Sequence, residues 1–273
     1  MTKQSSNEDR NFDGLAERFQ KNIYGGLKGR IRLAVLERDC SESLPIAPFH
    51  PNQNKTWRIL DAGGGQGQFS LELARAGHEL VICDISADML KIAQDQVEKE
   101  NLQSCAQLIH CSVQDLDQHL ANDQQFDFVI CHAVMEWMQN PSELLPLLVK
   151  QLKPGGFLSL IFYNVNSLIY KNCLRTNFKK IINKDYKGSA GSLTPINPLK
   201  PETVLTWVGG YPLEIVSYSG IRVFHDYIFN EQHRESKPEE LLSIELELSR
   251  QEPFRSLGRY IHLLMRCNNK SLA

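Results

Sequence analysis

The segment Asp61-x-Gly63-x-Gly65-x-Gly67 is the part of this 273-residue sequence best built to hold a ligand. Glycines at alternate positions let a backbone pass close under a bound molecule with no side chain in between. Asp61 closes an apolar run that begins at Trp57, and a carboxylate there suits a cationic or amino-bearing ligand better than a pyrophosphate. Dinucleotide binding through Gly-x-Gly-x-x-Gly calls for glycine at position 68, where Gln68 stands. No Lys-Ser/Thr pair follows the glycines, which excludes a phosphate-binding P-loop. A second acid, Asp84, ends the next apolar run, and His132 opens the stretch His132-Ala133-Val134-Met135-Glu136-Trp137 after a later one. For His132 three roles stay open at this level: a general base, a contact to the ligand, or a packed histidine.

These residues need elements to hold them. Residues 57–62 and 78–84 read as strands, 106–111 and 126–131 as the third and fourth, and 157–163 as the fifth. Helical patterns run over 68–76, closed by Gly77, and from the cap Ser86 to about Lys99. Asn140-Pro141-Ser142 opens a further helix that stops at Lys153-Pro154-Gly155-Gly156. Strands apolar on both faces, alternating with helices over short connections, predict a parallel sheet covered by helices. Such sheets bind ligands at the carboxyl ends of their strands, where Asp61, Asp84 and His132 fall. Past Tyr163 the pattern changes. Residues 165–200 carry seven cations against Asp185 alone, with weak apolar periodicity and a Gly/Ser/Pro-rich end. A helix over 201–209 with Pro201 at its start, and strands near 212–224 and 258–266, complete the chain; the acid-rich helical segment Pro238 to Ser249 separates those two strands.

Composition narrows the class. With 42% hydrophobic and 23% charged residues, the chain can bury a substantial core and is neither collagenous, low-complexity nor disordered. Its longest apolar stretch, Gly155 to Tyr163, is about half of a bilayer span, and the polar start MTKQSSNEDRNF lacks the apolar core of a signal peptide. A soluble, cytoplasmic protein is expected. The seven cysteines form no Cys-x-x-Cys pair; Cys83, Cys111 and Cys131 sit in strand-like runs as buried reduced thiols, and no metal site is expected. The net charge of -2 does not suggest a nucleic-acid binder, but the cations of 165–200 are concentrated enough to meet several phosphates with strong salt dependence. A solvated lid over the site is the other reading of that insert, and the two are compatible.

The glycine segment, Asp84 and Lys153-Pro154-Gly155-Gly156 resemble the class I S-adenosylmethionine-dependent methyltransferases over roughly residues 56–163. That resemblance implies a Rossmann-like α/β fold: a mostly parallel seven-stranded sheet with helices on both faces and an antiparallel last strand. It also implies that Gly63 and Gly64 lie under the cofactor, that Asp84 accepts hydrogen bonds from both ribose hydroxyls, and that Val113-Gln114 lies beside the adenine. Two acceptor oxygens suit two adjacent hydroxyls. His132 is placed with this cofactor group, its other two roles still open.

A wider set of stretches resembles one family in particular, the bacterial tRNA 5-carboxymethoxyuridine methyltransferases. These are Arg10-Asn11-Phe12-Asp13, Asn22-Ile23-Tyr24-Gly25, Leu60 to Gly65, Phe162-Tyr163-Asn164, Gly220 to Tyr227, Gln251-Glu252-Pro253 and Gly258 to His262. The resemblance implies methyl transfer from S-adenosylmethionine, leaving S-adenosylhomocysteine, to the carboxylate of 5-carboxymethoxyuridine at the tRNA wobble base, giving the methyl ester. It implies Arg32, in an N-terminal helix, on the cofactor's carboxylate, and the anticodon loop of tRNA as partner; no DNA, membrane or obligate protein partner is inferred. The organisation expected is an N-terminal helical cap over 1–55, a cofactor-binding core over 56–163, a basic insert or lid over 164–200 and C-terminal elements over 201–273.

A carboxylate nucleophile is ionised at neutral pH and needs no general base. The enzyme's task is then to align an anion with a sulfonium. Tyr163, Arg222 and Tyr260, near strand ends, are the candidate donors to that carboxylate. Core packing is the alternative for the tyrosines and a surface ion pair for Arg222. No Asn-Pro-Pro-Tyr type motif for amine substrates is present. Two other functions compete: methylation of a small-molecule acid or hydroxyl, and a non-catalytic cofactor-binding partner of an RNA-modifying enzyme.

Overall fold

A computed structural model describes residues 9, 11, 13–14, 26–50, 53, 55–121, 124–188 and 195–268. The quoted residues Arg10 and Phe12, and the stretch 22–25, lie outside the described residues. Seven strands form one sheet: β1 (Arg58–Ala62), β2 (Glu79–Asp84), β3 (Ala106–His110), β4 (Phe126–His132), β5 (Leu152–Tyr163), β6 (Leu213–Ile221) and β7 (Tyr260–Cys267). Their order is β3-β2-β1-β4-β5-β7-β6, and β7 alone runs antiparallel to its neighbours. The helices of the described residues are α1 (Gly26–Ser41), α2 (Ser70–Arg75), α3 (Ala87–Lys99), α4 (Leu144–Lys150), α5 (Val165–Leu174), α6 (Phe178–Ile182), α7 (Pro201–Val208), α8 (Glu231–Ser236), α9 (Pro238–Leu248) and α10 (Phe254–Leu257).

The apolar strands split their side chains between two layers, as the period of a strand requires. Leu60, Ala62, Val129 and Cys131 join one core with α4 and α7, while Ile59, Phe128 and Ile130 join another with α2 and α3. Helices therefore cover both faces. Ser86 caps α3 by accepting the Met89 amide at 3.2 Å. Cys83, Cys111 and Cys131 are buried free thiols. The strand order reverses between β1 and β4, which opens a crevice at their carboxyl ends.

Three local expectations change. The helix opened by Asn140-Pro141 begins as a 3-10 turn over Pro141–Glu143, and α4 ends at Lys150, before Lys153. Lys153 to Gly156 belong to β5, where a Cβ on Gly156 would stand 2.9 Å from the Lys153 carbonyl oxygen. The strand expected over 212–224 ends at Ile221 because the buried Glu245 carboxylate accepts the amides of Val223, Phe224 and His225 at 2.6, 3.0 and 2.7 Å, drawing the chain off the sheet. The basic insert is more ordered than its weak periodicity suggests. It holds α5, capped by Asn164, and α6; residues 189–194 lie outside the described ones.

Candidate active site

A crevice partly open to solvent lies at the carboxyl ends of β1, β2 and β4. The loop after β1 forms its floor. Amides of Gly63 and Gly64 both donate to the Cys83 carbonyl, at 2.8 and 3.1 Å, which ties the loop to the end of β2. A Cβ on Gly64 would stand 2.5 Å from the Asp61 carboxyl carbon, and Gly63 holds φ +70° directly against Val134. Neither position admits a side chain, so the backbone itself faces the ligand.

Asp84 rises beside that floor. Its Oδ2 accepts the Gly65 amide and its Oδ1 the Ser86 amide, each at 2.8 Å. Both oxygens are thereby fixed in direction, and each keeps a lone pair for a hydroxyl donor. Burial pushes this carboxyl up, against the two amides that favour its ionised form. Val113 and Gln114 line the far wall, Met89 closes over Gly65, and His132 and Val134 bound the opposite side. A second, smaller cavity adjoins the first, between Arg32 on α1, Asp61, Phe69 and His132. The Asp61 carboxyl, which accepts the Ser70 hydroxyl at 2.5 Å, is pushed up to about 7 by burial.

His132 is not loose in this wall. Its Nε2 lies 2.7 Å from Ser159 Oγ, which lies 2.9 Å from His262 Nε2; His262 Nδ1 in turn lies 2.7 Å from Asp39 Oδ2. Burial, with the charges of Arg32 and His262, holds the His132 imidazole well below its usual range, so it is neutral at pH 7. Phe69 tilts against its ring with centroids 5.6 Å apart.

Beyond the second cavity, Tyr163 and Tyr260 are opposed in the β5–β7 register, their rings edge to face with centroids 5.2 Å apart. The Arg32 and Arg222 guanidiniums lie 5.6 and 5.4 Å from the Tyr260 ring centroid, and Arg259 stands 4.7 Å over Tyr163. Arg222, at φ +60°, is 3.2 Å from Asp226 Oδ2, an ion pair sunk in the protein rather than on its surface. Burial alone would raise the Asp226 carboxyl, but Arg222, His225 and Arg259 hold it well below the usual range. Among the described residues the Tyr163 hydroxyl, Arg222 Nε and one terminal nitrogen of Arg259 are buried with no hydrogen-bond partner. Buried donors left without a partner call for an explanation beyond packing. Nearby, burial pushes the carboxyl of Glu136 up to about 8.

All the residues expected around the cofactor therefore meet in two adjoining cavities, and the three expected around the substrate gather one step beyond. Sequence reasoning missed Arg259, Glu136, the Ser159–His262–Asp39 chain behind His132, and the role of Asp9. Asp9 accepts the Gln114 side-chain amide at 2.6 Å and the Gln139 backbone amide at 2.8 Å, which places it in the wall of the crevice. Its neighbourhood to the Arg10-Asn11-Phe12-Asp13 stretch was the available signal. Among the described residues no group of three or more His, Cys, Asp or Glu side chains is placed to hold a metal, and no helix is long and apolar enough to cross a membrane.

The strand order, the glycine floor and the paired oxygens of Asp84 define a class I S-adenosylmethionine-dependent methyltransferase. A methyltransferase-domain family model matches residues 60–160. The fold is shared with an S-adenosylmethionine-dependent methyltransferase from Clostridium acetobutylicum (TM-score 0.59, 12% identity, 94% of this chain and 99% of that one). It is shared also with the magnesium protoporphyrin IX methyltransferase of Synechocystis with bound S-adenosylhomocysteine (TM-score 0.57, 17% identity, 93% and 95%). The chain is 39% identical over 259 residues to the tRNA 5-carboxymethoxyuridine methyltransferase of Escherichia coli, covering 95% of this chain and 97% of that one. It belongs to the tRNA 5-carboxymethoxyuridine methyltransferase family.

Proposed function

We propose that this protein methylates the carboxylate of 5-carboxymethoxyuridine at the wobble position of tRNA, producing the methyl ester. The observation that carries the reading is the end-to-end identity with the Escherichia coli enzyme, because the cofactor crevice alone does not select an acceptor. The cluster of buried donors beyond the crevice supports it, since an anionic acceptor needs them and a neutral hydroxyl does not.

S-adenosylmethionine supplies, when bound, an electrophilic methyl group on a positively charged sulfur. The chain's own residues fit that ligand: the side-chain-free backbone of Gly63 and Gly64 receives its body, Asp84 its ribose hydroxyls, and Val113 with Gln114 flank its adenine. Arg32 answers its carboxylate, and Asp61 in the same cavity answers its ammonium group. Arg222, Tyr163 and Tyr260 orient the acceptor carboxylate and strip part of its water. Asp226 shares Arg222, which keeps the guanidinium from closing into a tight pair that would quench the nucleophile. His132, neutral and tethered to Ser159, shapes the wall without taking a proton. Aligning the two reacting groups supplies about 7–11 kcal/mol where geometry is ideal, enough to dominate the rate.

The test is incubation with labelled S-adenosylmethionine and tRNA from cells that lack the ester, followed by nucleoside mass spectrometry. One added methyl on the wobble nucleoside, removed by mild alkali, is the expected outcome. Label on a small acid or phenol without RNA would point to the small-molecule reading instead.

A further inference from the structure

Large apolar side chains exposed to solvent are not scattered over this protein. Four of the eight among the described residues, Tyr170, Leu174, Phe178 and Ile182, fall at four-residue intervals along α5 and α6, and Ile182 is 77% exposed. Lys171, Arg175 and Lys179 follow each of the first three by one position, and Lys180 and Lys184 are further exposed cations of the same segment. Asp185 is its only acid. Natural surfaces rarely leave such a row uncovered without a partner.

The row is continuous with the site already described. Tyr170 packs edge to face on Tyr227 with centroids 5.1 Å apart, and Arg175 stands 5.1 Å over the half-exposed Phe229. Lys171, at the inner end, lies within the field of Asp226, Arg259 and Arg222, and burial lowers its ammonium to about 8. Aromatic rings and cations thus stand both on this surface and beside the buried donors.

Resting on the function proposed above, we propose that the α5–α6 face docks the single-stranded anticodon loop of tRNA, its cations meeting phosphates and Tyr170, Phe178 and Phe229 stacking on unpaired bases. Interleaved aromatics and cations are what splayed RNA bases require. A membrane surface calls for apolar and basic residues segregated to opposite sides of a longer helix, and α6 has five residues with Lys179 and Lys180 in its middle.

The test uses the full chain, a fluorescein-labelled anticodon stem-loop and three proteins: wild type, Phe178→Ala and the double variant Lys179→Ala/Lys180→Ala. Anisotropy at several KCl concentrations is expected to show affinity falling about tenfold in each variant, with the salt slope of the double variant reduced by roughly 0.7 for each phosphate left without its lysine. Calorimetric affinity for S-adenosylmethionine stays unchanged. RNA affinity and salt slope equal to wild type in both variants would overturn the docking surface, as would binding of the wild type to phosphatidylglycerol vesicles but not to the stem-loop. Weakened RNA binding by the variants, beside a wild type that forms no ester, would leave the docking surface standing and remove the proposed methyl acceptor.

Discussion

His262 Nδ1 lies 2.7 Å from Asp39 Oδ2, so the middle of the last strand grips the end of the helix that carries Arg32. Both side chains are fully buried, and Arg38 and Arg250 also donate to Asp39 at 2.7 and 2.6 Å. This pairing sets where α1 stands over the crevice, and through Ser159 it reaches the His132 wall.

Removing one partner of a buried charged network leaves the others unpaired, so Asp39→Asn is expected to destabilise the fold by about 3 kcal/mol in urea unfolding. Burial alone would raise the Asp39 carboxyl, but the hydrogen bond and charge of His262, with Arg38, hold it well below its usual range. A depressed folded-state pKa gives stability that is fully present above the unfolded value of about 4 and drains as pH falls below it. The variant should lose that acid limb. An unchanged acid limb would place the pair outside the stability of the fold.

Asp84→Ala is expected to weaken S-adenosylmethionine binding by about 1–3 kcal/mol in calorimetry, through lost hydrogen bonds to a charged acceptor. The Gly65 and Ser86 amides would turn to water at modest cost to the fold. Equal affinity would refute the ribose assignment.

Asp61 lies in the cavity with Arg32 and sits near pH 7 through burial. An ammonium group beside it favours the ionised form and lowers that value, so binding releases a proton. Cofactor affinity should therefore rise with pH up to about 7 and level off above it, and calorimetry in buffers of different ionisation enthalpy should register the proton. In Asp61→Asn both signals should vanish; their survival would assign them to another group.

Arg222→Lys keeps the charge but loses the planar contact with Tyr260 and the fork aimed at the acceptor. A loss of about 1.5–3 kcal/mol in kcat/KM for tRNA is expected, with cofactor affinity unchanged. A loss confined to cofactor binding would move Arg222 out of the acceptor site.

The parts legible in the sequence are those carried by short-range pattern. Apolar runs ending in Asp61 and Asp84, glycines that only a bare backbone explains, and Ser86 as a cap fix β1 to α3 with little tertiary help. Long-range contacts are a different matter. Asp39 and His262 are 223 positions apart and each reads alone as an ordinary polar residue. Glu245 ends β6 from a helix more than twenty residues downstream, which no local propensity encodes. The insert reads as irregular because its apolar row faces outward, not toward a core.

The central claim is that the acceptor arrives already ionised and the protein need only orient it. Single-turnover ester formation at saturating cofactor and tRNA, followed across about pH 6 to 8, examines this directly. A rate flat with pH, and no more than severalfold slower in His132→Ala, is the predicted result. A rate falling about a hundredfold or more in His132→Ala, with cofactor and tRNA still saturating, would contradict it and make His132 a base.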